Sequence, residues 1–133
     1  MRTLTFLTGN REGLLSEMTY ILGKSRIPIE GLDVDVIGDN AIIDLTVRNS
    51  MKAGKILEKN GFKLIQCRLI VKVCGKEERE CLEFLKGKLK ERGIKLKNAE
   101  LICKDESRGM FSIDADQPRR AVQVITMINS AGC

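Results

Sequence analysis

The sequence contains no histidine and no tryptophan, and aromatic residues make up only 4% of its 133 residues. Without histidine, catalysis by a histidine base is excluded, and so are zinc sites that use histidine ligands. No apolar run approaches the roughly 20 residues that a membrane-spanning helix needs. We therefore expect a protein that binds rather than an enzyme, with no catalytic residue, no cofactor, no metal and no contact with a membrane.

Cysteines occur in an odd number and never as a C-x-x-C pair: Cys67, Cys74, Cys81, Cys103 and Cys133. The N-terminal apolar stretch is far too short for a secretory signal. Together these features predict reduced thiols and a cytoplasmic protein. A thiol site around the loop between Cys74 and Cys81 stays an alternative, although unpaired cysteines are usually small buried hydrophobes.

The charge is unevenly distributed, with a formal net charge of +5 and most of the excess between Lys86 and Lys97. A basic segment can follow phosphates, which makes nucleic-acid binding one alternative. However, the spacing of Phe84, Leu85 and Leu89 indicates a helix whose lysines occupy its solvated face. Sheet proteins that read RNA also need aromatic residues for stacking, and this chain has few. We therefore favour the solvated helix.

The chain contains an internal repeat. Shifting the sequence by 67 positions overlays the apolar pattern of its two halves, and one extra residue in a later turn moves the offset to 68. Leu4 and Phe6 fall on Val71 and Val73, for example. The other matched positions of the first half are Leu14, Leu15, Met18, Leu22, Ile27, Ile29, Leu32, Val34, Val36, Ile43, Leu45, Val47 and Ala53. The repeat predicts two domains, residues 1–67 and 68–133.

Periodicity predicts the elements of each copy. In the first copy we expect strands at 3–8, 29–37, 41–48 and 62–66, a helix at 13–25, and a helix capped by Ser50. In the second copy we expect strands at 68–74, 96–105 and 109–115, with helices at 77–92 and 118–130. The fold class is therefore α+β: two ferredoxin-like units with antiparallel sheets and helices on one face. The first reads βαββαβ, and the second reads βαββα, without a last strand.

Two short motifs carry a resemblance to a known family. The run Thr8-Gly9-Asn10-Arg11-Glu12-Gly13-Leu14-Leu15, followed by Ile27-Pro28-Ile29-Glu30-Gly31, resembles the opening of an ACT domain. The resemblance covers residues 3–66 well and residues 68–131 only through the repeat. It implies a domain that binds an amino acid or another small metabolite, pairs with other copies, and controls enzymes of amino-acid metabolism.

The resemblance implies a ligand site at the first loop and first helix. Its candidate residues are Thr8, Gly9, Asn10, Arg11, Gly13, Leu14, Ile27, Pro28 and Ile29. Glycines allow the backbone to approach a ligand, and the start of a helix favours a carboxylate. Asn10 offers a donor and an acceptor, and Arg11 offers a positive charge. A plain tight turn before a helix would use the same residues.

Two residues depart from the family's pattern. Glu12 stands where proline is common, and Pro28 stands where many members have an asparagine that contacts the ligand. Three carboxylates, Asp33, Asp35 and Asp44, lie on the outward side of the predicted hairpin. They could hold a divalent cation, but we favour a role in keeping the sheet soluble.

The sequence thus predicts a separate regulatory protein that binds an amino acid and acts on a partner enzyme. We also expect a homodimer or a higher oligomer, because the second copy lacks its last strand and leaves an open sheet edge. The main alternative is an interaction module that mediates assembly without sensing a metabolite. Nucleic-acid binding is a second alternative.

Overall fold

The chain divides into two units, Met1–Gln66 and Cys67–Cys133. The computed structural model describes residues 2–66 and 69–132. Each unit has its own sheet and its own hydrophobic core.

The first unit has six elements in the order βαββαβ. They are β1 (Arg2–Gly9), α1 (Leu14–Lys24), β2 (Gly31–Ile37), β3 (Asn40–Val47), α2 (Ser50–Lys59) and β4 (Lys63–Leu64). The sheet order is β2-β3-β1-β4, and all neighbouring strands are antiparallel. This order confirms the predicted α+β, ferredoxin-like fold. The last strand is shorter than the predicted 62–66.

Alternation along β3 explains the core of the first unit. Its residues Ala41, Ile43, Leu45 and Val47 are buried and point to one face, as the period of a strand requires. That face also receives the buried side chains of both helices: Leu14, Met18 and Leu22 from α1, and Ala53 and Leu57 from α2. The helices therefore cover one face of this sheet, as predicted.

The start and end of α2 are set by local hydrogen bonds. The cap is Asn49 rather than the predicted Ser50, because the Asn49 side chain accepts a hydrogen bond from the Lys52 amide at 3.2 Å. Asparagine caps a helix as well as serine does, so two adjacent residues were both suitable caps. Beyond the helix, Gly61 adopts a φ of +89°, and the chain turns back toward β4.

The second unit has five elements in the order βαββα. They are β5 (Ile70–Cys74), α3 (Glu78–Lys90), β6 (Leu96–Lys104), β7 (Arg108–Ala115) and α4 (Pro118–Ala131). Its sheet order is β5-β7-β6. Within residues 69–132 no strand follows α4, as predicted. The beginning of the predicted strand at 68 lies outside the described residues.

Both helices of the second unit contribute to one core. Cys81, Leu85 and Leu89 of α3 and Ala121, Val124 and Ile125 of α4 are buried with Val71, Val73, Phe111 and Ile113 of the sheet. Pro118 is the first residue of α4, where its fixed φ suits a helix and its missing N–H is not needed. The spacing of these buried residues matches the pattern from which the helices were predicted.

Candidate ligand site

The loop between β1 and α1 is fixed at its start by the neighbouring hairpin. Thr8 and Gly9 form the end of β1, where Gly9 lies opposite Asn40 of β3. The Asn10 amide then donates a hydrogen bond to the carbonyl oxygen of Asp39 at 2.8 Å. The loop is therefore held beside the β2–β3 turn before the chain enters α1.

Gly13 forms the entry to α1 in a conformation that favours glycine. Its φ is +75°, and it occupies the cap position of the helix without any side chain to offer the first amides. The Gly13 carbonyl accepts a hydrogen bond from the Glu17 amide at 2.9 Å, which begins the helical pattern. The first-turn amides of α1 are thus not capped by a side chain, and they point out of the end of the helix, where an anion would be favoured.

The side chains of this loop differ in their availability. Asn10 is exposed, and within the described residues its side-chain amide makes no hydrogen bond. Arg11 instead forms an ion pair with Glu17 on the first turn of α1, at 2.6 Å from Nη1 to Oε2. Both side chains of the pair are more than a third exposed, so the pair contributes at most about 1 kcal/mol. A carboxylate at the loop could therefore displace Glu17 from Arg11.

The remaining predicted site residues lie at the other end of the sheet. Ile27 is buried, Pro28 is exposed, and the following Glu30 amide bonds the carbonyl oxygen of Thr46 at 2.9 Å. Thr46 is six residues beyond Asn40 in β3, which corresponds to ~20 Å of strand. One copy of the first unit therefore does not bring Ile27, Pro28 and Ile29 together with the Thr8–Leu14 loop.

The matching loop of the second unit is occupied by its own side chains. The Glu80 carboxylate accepts a hydrogen bond from the Lys76 amide at 3.0 Å. The Lys104 ammonium donates to the carbonyl oxygens of Gly75 at 2.9 Å and Asp105 at 2.8 Å. The repeat aligns Lys104 with the buried Ile37, so the repeat pattern contains no sign of this contact. An anionic ligand would meet Glu80 at this loop, which agrees with assigning the candidate site to the first unit.

Cys74 and Cys81, which flank the loop of the second unit, differ in their chemistry within the described residues. Cys81 is fully buried on α3, and burial raises the pKa of its thiol above the usual value of 9.0. A raised pKa leaves little nucleophilic thiolate at neutral pH. Cys74 is disulfide-bonded, which contradicts the prediction that every thiol is reduced. The predictions for Cys67 and Cys133 lie outside the described residues.

Metal binding and nucleic-acid binding receive little support from the side chains. Asp44 accepts a hydrogen bond from Thr5 at 2.7 Å, and within residues 2–66 and 69–132 no group of acidic or cysteine side chains is arranged to hold a metal ion. Phe6, Phe62 and Phe111 are buried, whereas Phe84 and Tyr20 are exposed on helices. The sheets thus present no aromatic surface for stacking bases.

No helix in the described part of the chain has the length and apolarity needed to cross a bilayer.

The first unit has the ferredoxin-like fold that the sequence predicted: βαββαβ, strand order β2-β3-β1-β4, and two helices on one face. No protein-family model matches the sequence, and no curated protein matches it either.

Several solved structures resemble the whole chain at low similarity. A protein from Bacteroides thetaiotaomicron is 21% identical with a TM-score of 0.47, over 94% of this chain and 85% of that one. The ligand-free regulatory subunit of aspartate kinase from Thermus thermophilus is 16% identical with a TM-score of 0.42, over 95% and 91%. The corresponding subunit from Thermus flavus is 14% identical with a TM-score of 0.43, over 95% and 91%.

Proposed function

We propose that this chain is a regulatory protein that binds an amino acid at the β1–α1 loop and acts on a partner enzyme of amino-acid metabolism. The observation that carries the proposal is the loop itself. At Gly13 the helix begins without a side-chain cap, and the exposed side-chain amide of Asn10 lies nearby in the same loop. The amides favour a carboxylate, and Asn10 can bond an α-amino group through its oxygen. The loop binds and orients a ligand but offers no group for a chemical step.

The position of Ile27, Pro28 and Ile29 suggests that the complete site needs two copies of the chain. β2 is an edge strand of its sheet, and it exposes an apolar row formed by Leu32, Val34 and Val36. Val34 is the middle residue of Gly31–Ile37. Antiparallel pairing of two β2 strands about Val34 would place the start of one strand beside the end of the other.

Such pairing would join the two separated halves of the predicted site. Ile29 lies just before the start of β2, and Asp39, which holds the Asn10 amide, lies just after its end. In an antiparallel pair, Ile27–Ile29 of one copy would therefore approach the loop of the other. An apolar edge strand that pairs with its symmetry mate is also a common way to cover such an edge. We therefore propose a homodimer with two equivalent sites at the ends of the paired strands.

A thermal-shift screen with the twenty amino acids tests ligand binding. A ligand present at 100 times its dissociation constant stabilises the folded protein by about 2.7 kcal/mol, which raises the melting temperature measurably. We expect Asn10→Ala to weaken the binding of the active amino acid about tenfold or more, because a hydrogen bond to a charged group is lost. Without ligand, Asn10→Ala should have the same melting temperature as the unchanged protein, because the Asn10 side chain makes no hydrogen bond within the described residues.

The matched control is Asn98→Ala, which removes an exposed asparagine from β6 of the second unit. This variant should bind like the unchanged protein. If no amino acid shifts the melting temperature at millimolar concentration, the sensing function is contradicted. If Asn10→Ala binds normally, the ligand binds elsewhere.

The apolar row on β2 also favours a second candidate function, an assembly module that senses nothing. Both candidates predict that Val34→Lys disrupts self-association. At the centre of an antiparallel pair, residue 34 of each copy would lie next to its own symmetry mate, so two lysines would repel each other. We expect the dissociation constant of the dimer to rise about tenfold or more in sedimentation velocity experiments.

Val122→Lys is the control for this experiment, because it places the same charge at an exposed valine of α4. It should dimerise normally. A dimer that tolerates Val34→Lys would rule out pairing through β2. Dimers that form through β2 without any amino-acid effect would favour the assembly module over the sensor.

A further inference from the structure

The two units differ most in the segment after the last helix of each. In the first unit, Gly61 ends α2, and the chain returns so that β4 pairs with β1. The Ile65 amide then donates to the Thr5 carbonyl oxygen at 2.8 Å, which extends the bonded edge of β1. In the second unit, α4 has 14 residues where α2 has 10. The 68-residue offset aligns Gly61 with Asn129, which remains within the helix.

The longer helix carries Asn129 to the edge of β5 that β7 does not cover. The Asn129 Oδ1 accepts a hydrogen bond from the Lys72 amide at 2.9 Å, and its Nδ2 donates to the Ile70 carbonyl oxygen at 3.4 Å. The opposite edge faces β7, because the Ile113 amide bonds the Leu69 carbonyl oxygen at 3.0 Å. Residues 70 and 72 alternate with residue 69, so their backbone groups point away from β7.

The side-chain amide of Asn129 engages the same groups that a neighbouring strand would engage. In a parallel ladder, one residue uses its N–H and its C=O to bond two residues that lie on either side of its partner. Asn129 makes this pattern around Val71 with the N–H and C=O of its side chain. The end of α4 stays near this edge, since the Cys74 Sγ lies 3.1 Å from the Gly132 carbonyl oxygen.

We infer that Asn129 occupies the edge of β5 that corresponds to the edge of β1 covered by β4, and that it closes this edge against pairing with a second copy of this chain. A strand edge without such cover is a template for another strand. The expectation that the second copy would dimerise through this edge is therefore revised. The inference concerns the second unit alone and does not depend on ligand binding by the first.

Amide hydrogen exchange of Asn129→Ala tests the inference at single residues. We expect the protection of the Lys72 amide to fall about fivefold or more, because the variant removes its acceptor. The Val71 amide should keep its protection, since it faces β7 by the same alternation. We also expect sedimentation velocity to show new concentration-dependent association, because the edge becomes accessible.

Two further variants keep the test decisive. Asn129→Asp retains an oxygen acceptor for the Lys72 amide but loses the donor to the Ile70 carbonyl oxygen. The Lys72 amide should therefore exchange more slowly in Asn129→Asp than in Asn129→Ala. This difference should remain even if the alanine substitution destabilises the whole second unit. Gln123→Ala, at an exposed position of the same helix, should change neither protection nor association. Unchanged Lys72 exchange in Asn129→Ala would overturn the inference, and so would equal loss in the alanine and aspartate variants. If the Lys72 amide exchanges faster in Asn129→Ala but the variant shows no new association, the inferred role of Asn129 in preventing strand pairing at the β5 edge would be overturned.

Discussion

Phe6→Ala is expected to lower the free energy of unfolding of the first unit by about 3–5 kcal/mol, as for other buried phenylalanines. Phe6 is fully buried in the middle of β1. Its ring packs edge-to-face against Phe62, with 6.4 Å between the centroids and 81° between the planes. The substitution removes this contact and leaves a cavity between the sheet and both helices. A loss this large is a major fraction of the stability of a small unit.

Chemical denaturation of the full chain, followed by circular dichroism, measures this effect. Tyr20→Ala is the control, because it also removes an aromatic ring from the first unit but at a site that is 69% exposed. We expect Tyr20→Ala to change the free energy of unfolding by no more than about 0.5 kcal/mol. A loss below about 1 kcal/mol in Phe6→Ala would contradict the placement of this ring in the core.

Much of the fold could be predicted from the sequence because each core position repeats with the period of its element. Leu14, Met18 and Leu22 recur at helical spacing, and the alternate residues of β3 recur at strand spacing. These local patterns do not depend on which elements meet in space. The same periodicities in the second half of the repeat predicted the order of its five described elements, βαββα.

The hydrogen bonds that occupy the second loop and the β5 edge cannot be predicted from the spacing of residues in the sequence. Lys104 reaches the Gly75 carbonyl from another strand, and Asn129 reaches β5 from the end of α4. Both are polar side chains whose partners lie far away in sequence, so no local pattern marks them. The separation of Ile29 from Asn10 has a related origin. The two motifs are close in sequence, but α1 carries the chain from one end of the sheet to the other.

Gly75→Ala is expected to lower the free energy of unfolding of the second unit by about 1–3 kcal/mol, the usual cost of overpacking. A Cβ atom at residue 75 would lie 2.8 Å from the Cys81 Sγ and 3.2 Å from the Cys81 backbone nitrogen. The thiol is fully buried, and the backbone nitrogen is held by a hydrogen bond to the Glu77 carbonyl at 3.1 Å. Neither atom can move away without disturbing the start of α3.

A double-mutant cycle with Cys81→Ala separates the two contacts. The double variant should recover part of the loss caused by Gly75→Ala, because the sulfur is gone, but not all of it, because the backbone nitrogen remains. Gly87→Ala is a control that adds the same methyl group where there is room for it, because no atom lies within 4 Å of a Cβ added to Gly87. Gly87 lies inside α3, where alanine is more favourable than glycine. We therefore expect Gly87→Ala to stabilise the protein by about 0.5–1 kcal/mol. Both can be measured by chemical denaturation.

The outcome bears directly on our proposal that the first unit holds the ligand site. The Gly75 loop is filled from the core side by Cys81, and its carbonyl is held by Lys104. In the first unit, by contrast, no atom lies within 4 Å of a Cβ added to Gly9 or Gly13. The space beside Gly9 and Gly13 is open, whereas the space beside Gly75 is filled by Cys81, and this asymmetry supports proposing the first unit as the ligand site. If Gly75→Ala were tolerated without loss, the second loop would have room to open, and it would have to be tested as a ligand site as well.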